Sequence, residues 1–252
     1  MKKFWWPVTP LVLIVLWQCL SYFGVIPRYK LPSPVEVILG LKALLCIGMP
    51  PGHLLYKHLI YSLYRVFLGY IFAVIIALPL GIFMGWSTRL REIINPVIEM
   101  LRPIPPLAWI PIAILWFGIG TKSAAFIIFL GVFFPILLNT ISGVISIDSK
   151  LIEAARTLGA DGKDIFFKIL IPGSVPSILV GMRIGVGIGW MTLVAAEFTG
   201  VKTGYGLGYM IMTARDVQRP DEILAGMLVI GLVGIFINLC FQLIGSRILK
   251  WQ

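Results

Sequence analysis

Residues 123–147 read SAAFIIFLGVFFPILLNTISGVISI, without an Asp, Glu, Lys or Arg among them. An α-helix rises about 1.5 Å per residue, so a run of this length covers the roughly 30 Å hydrocarbon core of a bilayer. The stretch reads as a membrane-crossing helix, and others resemble it. Uncharged runs also occupy Phe4–Pro27, Val66–Thr88 and Ile223–Ser246. Pro103–Thr121 is uncharged but carries Pro103, Pro105, Pro106 and Pro111, and Ile169–Ala196 is broken only by Arg183. Prolines and a lone charge are tolerated in a span where neighbouring helices or a water-filled cavity satisfy the freed groups. The prediction is an all-α membrane protein in one domain over 1–252. It has about six transmembrane helices, near 5–26, 60–87, 97–119, 123–147, 173–198 and 222–246, the third bent near its start.

Composition agrees. Of 252 residues 59% are hydrophobic and 13% charged, against roughly 25% charged in soluble domains. Lipid is the expected solvent for most of the surface. The net charge of +10 comes from basic residues scattered between apolar runs, which argues against nucleic acid. Lys2, Lys3, Arg89, Arg91, Lys150, Arg156, Lys163, Lys168, Arg247 and Lys250 fall on one side of such a bundle. Arg28, Lys30, Lys42, Lys57, Lys122, Lys202, Arg215 and Arg219 fall on the other. This slight bias places both termini in the cytoplasm. The first apolar run is too long for a cleaved leader and no small-residue site follows it, so it is expected to stay as a span. Cys19, Cys46 and Cys240 are odd in number and far apart, and read as small core residues rather than a disulfide or metal framework. Outside the spans, Ser33-Pro34-Val35-Glu36 is a capping box that opens a short amphipathic helix, with Val37, Ile38, Leu41, Leu44 and Leu45 on its apolar face.

The loop that follows 123–147 carries the most specific signal. It contains Glu153-Ala154-Ala155-Arg156-Thr157-Leu158-Gly159-Ala160-Asp161 and, further on, Ile169-Leu170-Ile171-Pro172. Ala154 and Ala155 favour helix and let another chain approach the backbone closely. Gly159 has the freedom to end that helix. Asp161, Gly162 and Lys163 make a polar turn. Ile165, Phe166, Phe167 and Ile169 then give knobs on a second short helix, and Pro172 starts the next span. Two short helices with small residues beside bulky ones suit a docking surface.

This loop, 148–172, resembles the coupling loop of ABC importer permeases: Glu-Ala-Ala, three residues, Gly, nine residues, Ile-x-Leu-Pro, with Ile171 where the family prefers Leu. Two further blocks, Leu101 to Pro111 with Trp116-Phe117-Gly118, and Arg183 to Trp190 with Val194-Ala195-Ala196-Glu197, resemble permeases of the nitrate, sulfonate, taurine and bicarbonate group, most of all the taurine branch. The resemblance implies the type I permease bundle in the cytoplasmic membrane. It implies that Glu153, Ala154, Ala155, Gly159, Ala160 and Asp161 couple to a separate dimeric ATPase. That ATPase uses the ATP and magnesium, so this chain binds no cofactor or metal. The other implied partners are a second permease copy and an external solute-binding protein. The cargo is a small anion or, alternatively, a thiamine-precursor-like solute.

Charges at membrane depth mark function by default. Arg65 and Arg102 could snorkel at span ends. Arg183 and Glu197 lie about four turns apart on one helix and cannot pair there, so Arg183 either faces an aqueous path, a partner chain or an anion, or is a structural tie to helix-end carbonyls. Arg102, Trp109, Arg183, Trp190 and Glu197 are therefore candidates for the translocation path. Gly181, Gly185 and Gly189 form a stripe suited to close helix packing, either at a dimer axis or within the chain. An intramembrane enzyme finds no support: His53 and His58 do not share a helix face well and have no Glu between them, and the sequence places no catalytic His or carboxylate near Ser62 or Ser174. No Gly-Lys-Ser/Thr occurs at Lys122-Ser123 or Lys202-Thr203, so no phosphate loop is expected. Thr203-Gly204-Tyr205-Gly206 lacks the valine of a potassium-channel filter and reads as a flexible outer turn.

Overall fold

A computed structural model describes residues 5–24, 27, 29–198 and 204–248. Lys2, Lys3, Arg28, Lys202, Thr203 and Lys250 lie outside the described residues. The chain divides into two compact units, Met1–Ser62 with Thr203–Val233 and Leu63–Lys202 with Gly234–Gln252. All described elements are helical. In order they are α1 (Trp5–Tyr22), α2 (Pro34–Cys46), α3 (Leu55–Trp86), α4 (Thr88–Leu101), a 3-10 turn (Pro106–Trp109), α5 (Ile110–Phe117), α6 (Thr121–Ile145), α7 (Ser149–Thr157), α8 (Gly162–Asp164), a π segment (Ile165–Leu170), α9 (Ile171–Phe198), α10 (Leu207–Asp216) and α11 (Pro220–Ile248).

Among the described residues, four helical stretches are long and apolar enough to cross a membrane: Leu55–Trp86, Thr121–Ile145, Gly162–Phe198 and Pro220–Ile248. A fifth crossing is available from Thr88–Leu101 with Pro106–Phe117, which meet at 82°. The first expected span is represented by a shorter apolar helix, Leu11–Tyr22. The expected bend is present at Arg102–Pro105. Pro103, Pro105 and Pro106 each remove a backbone donor, so the helix cannot run through them.

In the second unit α6 is the core. Gly69, Gly81 and Gly85 of α3 lie so close to it that a Cβ would come within 2.7 Å of Ala125 O, 2.7 Å of Thr140 Cβ and 2.5 Å of Val144 Cβ. On α9, a Cβ at Gly181, Gly185 or Gly189 would come within 2.7 Å of Asn139 Cβ, 3.1 Å of Val132 Cγ1 and 2.7 Å of Val132 Cγ2. Small residues allow this backbone approach, which is how helices gain packing where lipid supplies no hydrophobic drive. The stripe at 181, 185 and 189 packs on α6 of the same chain, the within-chain contact that its spacing allowed.

In the first unit the Ser33 hydroxyl accepts from Glu36 N at 3.2 Å, and the Glu36 carboxylate accepts from Ser33 N at 2.7 Å. The capping box is thus complete. The buried face of α2 is Val37, Gly40 and Leu44, whereas Ile38 and Leu45 are exposed. Gly40 fixes that rotation: a Cβ there would stand 2.8 Å from the Asp221 carbonyl. The three cysteines are free thiols, and Cys19 and Cys46 are exposed rather than core residues.

Candidate functional site

The loop between α6 and α9 folds as a tight, locally specified hairpin. Asp148 opens α7 by accepting from Lys150 N at 2.9 Å. Gly159 closes it with φ +86°, a conformation costly for any residue with a Cβ. Gly159 N donates to Arg156 O and Ala160 N donates to Ala155 O, both at 3.0 Å. These two bonds are the Schellman arrangement, and they satisfy carbonyls that a helix end leaves open. Asp161 then caps α8 by accepting from Asp164 N at 2.7 Å.

The second short helix is not a separate element. Gly162–Phe198 runs as one helical stretch, widened over Ile165–Leu170, where Ile171 N reaches back five residues to Phe166 O. Pro172 has no N–H to continue the ordinary ladder, and the widened turn absorbs the break. Ile165 and Leu170 are buried with Val144, and Ala155, Ala160, Phe166 and Ile169 pack against that cluster. Of the four expected knobs only Phe167 is exposed, at 64%, with its ring edge-on to Phe166. The outward surface includes Leu151, Glu153, Ala154, Leu158, Gly159, Asp161 and Phe167 among the exposed Lys150, Arg156, Thr157, Lys163 and Lys168, with Leu158 88% exposed. Phe166 stacks on Phe83 and meets Trp86 edge-on, with centroids 6.0 and 5.6 Å away, so the hairpin is braced on the end of α3.

Two arginines differ sharply within the bundle. Arg65 of α3 is fully buried and donates from Nη1 to Glu197 of α9 at 2.5 Å, and Glu197 is fully buried as well. Sequence reasoning tested Glu197 only against Arg183 and missed this partner. The available signal was that two opposite charges, Arg65 and Glu197, each bordered a long apolar run. Arg183, near the middle of α9, is exposed and donates from Nε to Asn238 Oδ1 of α11 at 2.8 Å. Asn238 was not singled out from the sequence.

Residues 77–250 match the family of binding-protein-dependent transport system inner membrane components. The chain belongs to that family. It is 37% identical to the Escherichia coli taurine transport system permease protein, over 96% of this chain and 87% of that one. It is 36% identical to the nitrate import permease protein of Leptolyngbya laminosa, over 74% of this chain and 66% of that one. A chain of the inward-facing methionine ABC transporter MetNI superposes with a TM-score of 0.67 at 19% identity, covering 77% of this chain and 95% of that one. The fold is that of type I ABC importer permeases.

The remaining candidates in this permease sit as follows. Arg102 is exposed at the end of α4, where its own N–H donates to Ile98 O. Trp109 is half-buried against Ala113, Ala124, Ile127 and Ala196. Trp190 is 5% exposed and sits against Gly234, where a Cβ would lie 3.2 Å from the indole. Glu197 serves the buried pair.

The turn at Gly204–Gly206 is not free. His58 is fully buried, with Nε2 3.2 Å from His53 O and Nδ1 2.9 Å from Gly206 O and 3.0 Å from Gly206 N. Ser62 Oγ accepts from Leu207 N at 2.9 Å, and Tyr205 stacks on Tyr61 with centroids 5.1 Å apart. His58 and Ser62, dismissed as catalytic groups, clamp the Gly204–Gly206 turn.

Proposed function

We propose that this chain is the membrane-spanning subunit of an importer for a small oxyanion, driven by a separate ATPase that seats on the 148–172 hairpin. The observation that carries this is the hairpin's form. Leu151, Ala154, Leu158 and Phe167 present apolar or small side chains outward, while caps at Asp148, Gly159 and Asp161 hold the backbone rigid. An exposed apolar patch rimmed by charge marks a protein contact. A rigid patch continuous with α9 can pass a push directly into a spanning helix. In this reading the hairpin faces the cytoplasm, two copies of the chain form the pathway, and an external binding protein delivers the solute. ATP and magnesium belong to the motor, and this chain hydrolyses nothing. The oxyanion cargo is supported by the taurine and nitrate relatives and by Arg183, which pairs with no carboxylate among the described residues.

The test uses Ala154→Arg and Leu158→Asp in the full transporter. Both positions are exposed, so the chain is expected to insert and fold normally while the ATPase no longer co-purifies with it from detergent-solubilised membranes. A variant complex that assembles and transports at the parental rate overturns the docking role. Gly159 is the poorer probe, because any side chain there is strained by the positive φ whether or not a partner is present.

A further inference from the structure

We propose that Arg183 and Asn238 form an oxyanion-recognition site inside the bundle, in which Asn238 holds the guanidinium and Arg183 meets the passing anion. The proposal rests on the importer reading above and deepens it by naming a site.

A guanidinium has five N–H donors in a fixed plane. Here Nε is committed to Asn238 Oδ1 at 2.8 Å, which leaves the two terminal nitrogens with four donors. Among the described residues no carboxylate pairs with Arg183. Asn238 orients the guanidinium without cancelling its charge, since an amide is neutral. Its own NH2 group adds donors beside the fork. Paired guanidinium N–H groups match planar and tetrahedral oxyanions, which accept two parallel bonds.

The surroundings fit that use. Arg183 and Asn238 line a groove of about 450 Å³ with Val180, Ile184, Gly187, Ile188 and Met191. The other side chains in this wall carry no hydrogen-bonding group, so an anion shedding water there depends on Arg183 and Asn238 for replacement bonds. Gly187 leaves the approach open, because a Cβ there would meet nothing within 4 Å. An unneutralised arginine at this depth is among the costliest placements against acyl chains. This face of α9, turned away from α6, therefore lines water.

The experiment reads charge in the groove separately from transport. Cys19, Cys46 and Cys240 are replaced by Ser, Gly187→Cys is introduced, and the complete reconstituted transporter is treated with anionic and cationic methanethiosulfonates of similar size. The anionic reagent is expected to react at least about tenfold faster, as a focused positive field accelerates anion arrival, and inorganic sulfate or nitrate at millimolar concentration is expected to slow it. Arg183→Gln should abolish both the preference and the protection. Equal rates for the two reagents, no protection by either anion, or no reaction at 187 at all would overturn the site. Failure of the importer reading shows elsewhere, as absence of ATP-driven uptake with an intact reagent preference.

Discussion

Arg65 and Arg183 are the same residue type on two spanning helices, and the fold treats them in opposite ways. Arg65 is sealed from solvent and meets a carboxylate. Arg183 is exposed and meets an amide. Removing a charge from water costs several kcal/mol, of order enough to unfold a marginal protein, unless an opposite charge and good geometry offset it. Arg65 has that offset in Glu197 and is thereby silent. Arg183 keeps its field. The partner, rather than the arginine, decides which charge ties helices together and which one a solute can feel.

The largest effect is expected where the silent pair is broken. Glu197→Ala leaves Arg65 buried beside an empty position, and removal of one member of such a pair costs about 3–5 kcal/mol. The folded fraction after detergent extraction, followed by thermal shift and size-exclusion chromatography, should drop severely. The double variant Arg65→Met with Glu197→Leu should recover most of that loss, since apolar replacement of a whole buried pair is often near neutral. If Glu197→Ala is as stable as the parent, the pair holds nothing together and the contrast with Arg183 fails.

A second test makes Arg183 resemble Arg65. Asn238→Asp keeps the size of the side chain and supplies the missing carboxylate. Stability should change little at this exposed site. ATP-driven uptake in proteoliposomes, however, should fall by about an order of magnitude or more, because the anion now competes with a fixed carboxylate for the fork. Unchanged uptake would mean that the charge on Arg183 is as silent as that on Arg65.

What the sequence made legible follows the distance over which each feature is specified. The hairpin could be read because its signals are local: Asp148, Gly159 and Asp161 each act within a few residues of their own positions. The α2 cap at Ser33 and Glu36 was readable for the same reason. Ties between distant segments could not be read. Arg65 and Glu197 stand 132 positions apart, and Ser62 and Leu207 stand 145 apart. Composition announced that helices would cross a membrane, but not which face of α9 would meet α6, because glycines favour close approach to any neighbour. The exposed face of α2 shows the same gap: apolar spacing alone allowed Ile38 and Leu45, and the approach of Gly40 to Asp221 chose Val37 and Leu44 instead.

The smallest expected effect is the most discriminating, since it preserves charge and alters only geometry. Arg183→Lys retains a cation in the groove but replaces the planar fork with a point charge, and loses the Nε donor that Asn238 now accepts. If the site acts by field alone, uptake should be almost unchanged. If it acts by two-pronged hydrogen bonding, the turnover of uptake at saturating binding protein should fall about three- to tenfold, the loss expected for one charge-assisted hydrogen bond weakened rather than removed. ATP hydrolysis should continue at the parental rate, because the docking hairpin is untouched. A parental turnover in Arg183→Lys beside a strong defect in Arg183→Gln would keep the charge and discard the fork, and Asn238 would then be a packing residue rather than a positioning one.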